Sequence, residues 1–357
     1  MSTRDVVMDP ATTTGQVEDA RPGDHSEDQP PTPPDRRHGA GQLARRVTAR
    51  YALLGVWGLM ILLFGLLEPS TFLTSSTFTS IFSSQQALVF LAMSLLCTIL
   101  VGEFVDLSVP SVLALSATIV PVLTVLHGWN VWLACVVALA AALLVGAVNG
   151  ALVVYMGVNT IVVTLGMGTF LLGIGLWMSH LNSVSGLSAS FGKITLLDVG
   201  GLPISFYYGV VMVLVFAYIL GFTPLGRHIR FVGSNREVSR LAGIRVNRIR
   251  FGAFVMAGAI AGLGGILATA GLGGFDPSTS QTYLLPTFAA TFLGTAAVQP
   301  GRFNPIGTFI AIYFLATGIL GLELLGASGW VSDVFYGGVL VVAVALSTSV
   351  HRALTNR

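Results

Sequence analysis

The run "VWLACVVALAAALLVGAVNGALV" (residues 131–153) holds no charged residue along its whole length. A helix of that length rises roughly 35 Å at 1.5 Å per residue, enough to cross the roughly 30 Å hydrocarbon layer of a bilayer. The stretch therefore reads as a transmembrane helix, and the chain around it repeats the theme. Of the 357 residues 54% are hydrophobic and only 10% are charged, against about a quarter charged in soluble domains. Further apolar runs, separated by Gly, Pro or charge breaks, lie at about 51–67, 85–101, 109–126, 160–178, 204–222, 251–271, 283–298, 305–322 and 329–348. The expected fold is an all-α polytopic membrane protein of about ten transmembrane helices. The segment Gly102–Ser108 reads as a break between two of them.

The ends of the chain differ from its middle. Residues 1–44 are rich in proline and acids ("HSEDQPPTPPDRRHGAG") and carry half of all the acidic residues. Such a segment has too little apolar surface to offset the entropy of ordering and is expected to be a disordered cytoplasmic tail. It has no early apolar core of a secretory signal; Arg45, Arg46 and Arg50 instead precede the first hydrophobic run, as in an uncleaved start-transfer segment. The transmembrane body is expected over 45–350, followed by a cytoplasmic tail at 351–357.

Charge sets the orientation. Lys193 is the only lysine, and the other 17 basic residues are arginines. With the N-terminus inside, loops 223–250 and 299–304 and the C-terminus also lie inside, and every arginine falls on that side, as the positive-inside rule requires. Loops 68–84, 127–130, 179–203, 272–282 and 323–328 then face outward. This gives a multi-pass plasma-membrane protein with both termini cytoplasmic.

The loop 223–250 gathers seven arginines and contains "VGSNREVSRLAGIRV" (232–246). Ser234 and Glu237 have the spacing of a capping box, and Gly243 is suited to the left-handed residue that ends a helix. A helix of about two turns is predicted, with Val238, Leu241 and Ala242 on an apolar face and Arg236 and Arg240 on the other. So short a helix needs something to pack on. Anionic lipid is one surface it fits; a groove in a cytoplasmic protein is the other, favoured by the small residues Ala242 and Gly243 and by Glu237 on a basic surface.

Four segments bear a joint resemblance. The run "PLGRHIRFVGSNREVSRLAGIRVNRIRFGAFVMAGAIAGLGGIL" (224–267) resembles the cytoplasmic loop and following span of the ribose-type permeases of bacterial ABC importers. "GEFVDLSVPSVLALSA" (102–117), "VNGALVVYMGVNTIVVTLGMGTFLLGI" (148–174) and "LGTAAVQPGRFNPIGTFIA" (293–311) are similar to other segments of that family, so that nearly all of 51–350 is covered. The chain departs from the family at Glu103 and Pro110, where glycine is usual, and at Gln299, Pro300, Phe303 and Asn304.

The resemblance implies a transmembrane subunit that moves a sugar or similar small polar solute inward. It implies three partners: a separate cytoplasmic ABC ATPase, an extracytoplasmic solute-binding protein docking on the outer loops, of which 179–203 is the largest, and a second permease copy or homologue. The helix at 234–243 would be the coupling helix, with Ser234, Asn235, Glu237, Arg240, Leu241, Ala242 and Gly243 in contact with the ATPase. ATP hydrolysis would belong to that partner, and no enzymatic activity, cofactor, metal or nucleic acid is expected of this chain.

Candidates for a polar path are Asp106, Ser108, Asn149 and Thr164, since ionisable and polar groups at membrane depth are functional candidates by default. Two plainer readings stand beside this one. Asp106 suits the cap of the next helix, and small or polar residues also serve close helix packing, as expected for Gly258, Gly262 and Gly265. An alternative function is an ion-coupled secondary transporter with Glu103 and Asp106 as proton carriers. "GLSASFGKI" (186–194) looks like a phosphate-binding loop but has five residues between its glycines and Ile194 after Lys193, so it does not match that motif. Cys97 and Cys135 read as buried small hydrophobes, and His127 and His180 are isolated.

Overall fold

A computed structural model describes the backbone of residues 37–355 and the side chains of 51–345; most of the expected N-terminal tail and the last two residues lie outside the described residues. The helices are α1 (Arg37–Leu67), α2 (Pro69–Phe72), α3 (Ser75–Ser84), α4 (Gln86–Ile99), α5 (Val109–Pro121), α6 (Val131–Gly150), α7 (Thr160–Met178) and α8 (Ala189–Leu196). They continue as α9 (Ile204–Phe222), α10 (Pro224–Ser234), α11 (Arg236–Leu241), α12 (Val246–Leu272), α13 (Leu284–Leu293), α14 (Pro305–Leu324) and α15 (Trp330–Thr355). Two short antiparallel pairs complete the fold, β1 (Val184–Ser185) with β4 (Gly274–Phe275) and β2 (Asp198–Val199) with β3 (Leu202–Pro203). The first helix reaches back to Arg37, so the boundary expected at 44 falls within it, and α15 continues to Thr355 where a separate tail was expected from 351.

Among the described residues seven helices are long and apolar enough to cross a membrane, and Tyr51–Leu67 and Trp330–Ala345 are shorter apolar helices. These nine match nine of the ten expected runs. The tenth, 283–298, is not a crossing helix. There α13 has only ten residues, roughly 15 Å or half the hydrocarbon layer. It stops because Asn304 holds the turn after it: the Asn304 amide donates to the carbonyls of Gly294, Ala297 and Arg302, and its oxygen accepts from Gly307 N at 2.6 Å. A Cβ on Gly307 would lie 2.3 Å from Gly294 O, so the turn lies flat on the first turn of α14. The expected span merges a half-length helix with this turn, because both are apolar.

The spans form an inner and an outer set. The spans through α4 and α5 are 72% and 78% buried, while those of α6, α7 and α9 are 28%, 28% and 22% buried and leave large apolar side chains such as Leu133, Val162, Phe170 and Leu214 bare. That outer apolar surface is what lipid would cover. Close packing rests on small residues. The buried face of α6 is Ala134, Ala138, Ala142, Gly146 and Asn149, at helical spacing, and it meets α12 at glycines. A Cβ on Gly258 would lie 2.4 Å from Ala142 O, and one on Gly265 would lie 2.2 Å from Leu113 O in α5. These glycines set the interhelical distance, as their small-residue spacing suggested.

Segments assigned by charge to one side of the membrane pair with others assigned to the same side. Val184 pairs with Phe275, and Thr79 donates to Gly201 O, all within expected outer loops. On the side assigned by charge as inner, the break after α4 meets α10, α11 and the start of α12. A small core of Val101, Val232 and Val246, with Ile229, Ile244 and Ile249 against it, fastens the arginine-rich loop to the break.

Candidate functional site: an exposed short helix tied to a buried polar cluster

The arginine-rich loop folds as two short helices. Thr223 caps α10 by accepting from Gly226 N at 3.2 Å. The helix runs through Ser234, whose hydroxyl donates back to Phe231 O at 2.9 Å. The break comes one residue later than the capping-box spacing suggests. Asn235 is extended (φ −157°) and its side chain accepts from Val238 N at 3.1 Å, so it is the cap of α11. Ser234 competes poorly for that role because it is still satisfied within α10. Glu237 then sits in the first turn of α11, where a carboxylate faces the positive helix end, and contacts Arg240 at 3.5 Å. That pair is exposed on both sides and contributes under about 1 kcal/mol. At the other end Gly243 (φ +79°) closes the helix. Gly243 N donates to Arg240 O and Ile244 N to Ser239 O, both at 3.0 Å, so the last carbonyls are satisfied without a side chain.

The faces of α11 are not those expected. Ser239 is buried and Arg236 turns inward, whereas Val238 is 55% exposed and Leu241 88% exposed. Asn235, Glu237, Arg240, Ala242 and Gly243 are exposed as well. The reason is electrostatic. Arg236 finds an acceptor pair within the protein, donating to Gly102 O at 2.9 Å and to Glu103 Oε1 at 2.7 Å. Leaving a buried carboxylate short of a partner is costly, and with Arg236 held against it Val238 and Leu241 face outward. The apolar side chains are left as a surface patch on a helix too short to stand alone. Beside it an open concavity of about 430 Å³ is lined by Tyr155, Arg240, Arg245 and Arg248 among others. This face is apolar at its tip and basic at its flank.

Glu103 is the hub beneath it. Its side chain is 7% exposed. Arg250 of α12 donates to Oε1 through both Nε and Nη2, with Nε at 2.9 Å, and Thr160, the first residue of α7, donates to Oε2 at 2.6 Å. The carboxylate thus joins the break after α4 to α11, α12 and α7. Gly102 makes the approach possible, since it has φ +85° and a Cβ there would lie 3.3 Å from the Arg236 guanidinium. Sequence reading singled out Glu103 without its partners. Arg236 and Arg250 lie 133 and 147 residues away in the chain, and nothing in local spacing marks them.

Asp106, Ser108, Asn149 and Thr164 come together a turn farther on. Asp106 Oδ1 accepts from Ser108 N at 3.1 Å and Ser108 Oγ at 2.7 Å, and Asn149 Nδ2 donates to Ser108 Oγ at 2.9 Å. Thr164 Oγ1 accepts from Leu107 N at 3.1 Å. All four are nearly fully buried. Asp106, Ser108 and Asn149 line a cavity of only about 10 Å³ with Gly146, Phe254 and Gly258, and Asn149 Oδ1 in its wall has no partner. The cluster brings together path candidates from three separate segments, the break before α5, α6 and α7, and in this conformation it is sealed. Asp106 accepts from the N–H of Ser108, the residue before α5, so it holds the turn that leads into the helix and does not cap the helix's first turn.

Among the described residues no three His, Cys, Asp or Glu side chains are placed to hold a metal ion. The loop resembling a phosphate cradle is engaged elsewhere: Gly186 N and Leu187 N both donate to Gly273 O.

Residues 77–344 match the family described as branched-chain amino acid transport system, permease component. The chain is 29% identical over 306 residues to the D-allose transport system permease protein AlsC of Escherichia coli, covering 85% of this chain and 93% of that one. It is 29% identical over 303 residues to the autoinducer 2 import system permease protein LsrC of Photorhabdus laumondii, with 85% and 88% covered. With the autoinducer 2 import system permease protein LsrD of Klebsiella pneumoniae identity is 28% over 309 residues, with 84% and 92% covered.

Proposed function

The chain belongs to the family of branched-chain amino acid transport system permease components, and on that premise we propose that it is the membrane-spanning subunit of an ATP-driven importer of a sugar or similar small polar solute. The solute class rests on relatives named for D-allose and autoinducer 2 transport. ATP hydrolysis belongs to a separate cytoplasmic chain that docks on α11. One observation carries this reading. Leu241 is 88% exposed on a helix whose ends are fully capped and whose inward face is anchored by an ion pair. A rigid, bare apolar knob on an otherwise basic cytoplasmic loop is the form of an interface residue.

The contact surface comprises Asn235, Glu237, Val238, Arg240, Leu241, Ala242 and Gly243, with the basic concavity beside it; Ser234, inside α10, lies at its margin. The other partners are an extracytoplasmic binding protein on the outer loops and a second permease copy or homologue. Both termini lie in the cytoplasm of a bacterial cell. Asp106, Ser108, Asn149 and Thr164 are the candidate residues of a path that opens when the sealed cluster separates. The engagement of Glu103 by two guanidiniums and a hydroxyl leaves it no free face for carrying a proton, which weighs against the ion-coupled alternative.

The test is sugar uptake into right-side-out vesicles loaded with ATP, over a panel of labelled pentoses and hexoses with the matching binding protein supplied. Uptake that requires internal ATP, survives a protonophore and falls at least tenfold in Leu241→Arg is expected. Uptake without ATP that collapses with the proton gradient would replace this reading with the ion-coupled one.

A further inference from the structure

We propose that Glu103 is the positioning residue that carries displacement of α11 into the membrane-spanning helices. The inference rests on the reading of α11 as the docking helix. Three facts converge on this side chain. It is the meeting point of four segments: its own break after α4, Arg236 of α11, Arg250 of α12 and Thr160 of α7. It is buried, with 7% of its side chain exposed, and Arg250 is 13% exposed, so that pairing is little screened by water, while the pairing with Arg236, which is 38% exposed, is screened more. It lies three residues before Asp106, whose hydrogen bonds with Ser108 and through it with Asn149 hold the sealed polar cluster.

The connectivity has a direction. A partner that pulls or tilts α11 moves the Arg236 guanidinium, which grips both Gly102 O and Glu103 Oε1. The other end of the same carboxylate holds Thr160, four residues before Thr164, which in turn accepts from Leu107 N. A shift of α11 therefore reaches the break at Gly102–Leu107 and the start of α7 together through these bonds, beside the apolar core of Val101, Val232 and Val246. The α10 helix cannot take up the motion alone, since a Cβ on Gly233 would already lie 2.2 Å from Leu100 O. Removing the charge of Glu103 takes away the shared counter-charge of Arg236 and Arg250 and leaves Arg236 with Gly102 O alone, so the link should weaken while the helices on either side remain.

The experiment uses the full chain in complex with its co-purified ATPase, in nanodiscs, with hydrogen exchange read by mass spectrometry before and after trapping with ATP and vanadate. In the unaltered complex, trapping should change exchange at least twofold in 236–243, in 100–108 and in 160–166. In Glu103→Gln the change at 236–243 should persist while those at 100–108 and 160–166 fall by more than half, and Glu103→Asp should restore them. Should Glu103→Gln fail to assemble, Arg236→Gln, which leaves Glu103 paired with Arg250, must give the same loss. Responses at 100–108 and 160–166 that are unchanged in an assembled variant overturn the positioning role alone. An unaltered chain that brings no ATPase with it overturns the docking reading, and this role with it.

Discussion

At the scale of single residues, the buried polar cluster is the place where one atom decides the outcome. Ser108 Oγ is both the donor to Asp106 and the acceptor from Asn149. Ser108→Ala therefore strands the Asn149 amide, whose oxygen already lacks a partner, and leaves Asp106 Oδ1 with the Ser108 N–H as its one remaining donor. Leaving buried polar groups unmet costs roughly 1–3 kcal/mol, so thermal unfolding in detergent should shift down accordingly. Asp106→Asn retains an oxygen that can accept from Ser108 N and should cost less than Ser108→Ala; a larger loss would show that the negative charge itself holds the break together. Sequence reading found these four residues because polar side chains are conspicuous in apolar runs. It could not find the bonds that join Asn149 and Thr164 to the break across 41 and 57 positions, nor those of Glu103 with Arg236 and Arg250 across 133 and 147, because contacts at such separations leave no local pattern.

At the scale of elements, the periodic signals were legible and the terminations were not. Gly243 as the end of α11 and the close-packing glycines of α12 are where their spacing places them. The start of α11 is one residue later than the Ser234–Glu237 spacing suggests, because Ser234 remains inside the preceding helix. The outward turn of Val238 and Leu241 follows from a distant carboxylate that amphipathicity cannot see. The glycines give a graded test on one helix. Gly265→Ala puts a methyl group 2.2 Å from Leu113 O, whereas Gly252 has nothing within 4 Å of a Cβ. The first should destabilise by about 1–3 kcal/mol through displacement of α12 from α5; the second should be neutral or stabilise by roughly 0.5–1 kcal/mol through helix propensity. Equal losses at both positions would show that α12 does not pack this way in the bilayer.

At the scale of the whole molecule, apolar runs and arginine placement account for most of the architecture. Nine expected runs correspond to apolar helices, and the exception at 283–298 arises where a half-length helix and a capped turn share one hydropathy signal. Orientation rests on charge and can be tested directly. In a background lacking Cys97 and Cys135, Ser190→Cys should react with a membrane-impermeant maleimide in intact cells, and Asn247→Cys should react only after permeabilisation. The reverse pattern would place the arginine-rich loop outside and remove α11 from reach of any cytoplasmic ATPase.

That reach is the central claim, and a photo-activated cross-linking side chain at position 241 tests it most directly. Irradiated in native membranes, it should yield one dominant adduct, identified by peptide sequencing as a chain bearing its own phosphate-binding loop, while the same side chain at lipid-facing Val162 gives none. Adducts at 241 with lipid alone, or none at all, would contradict the assignment of α11 as the docking helix of an ATP-driven permease.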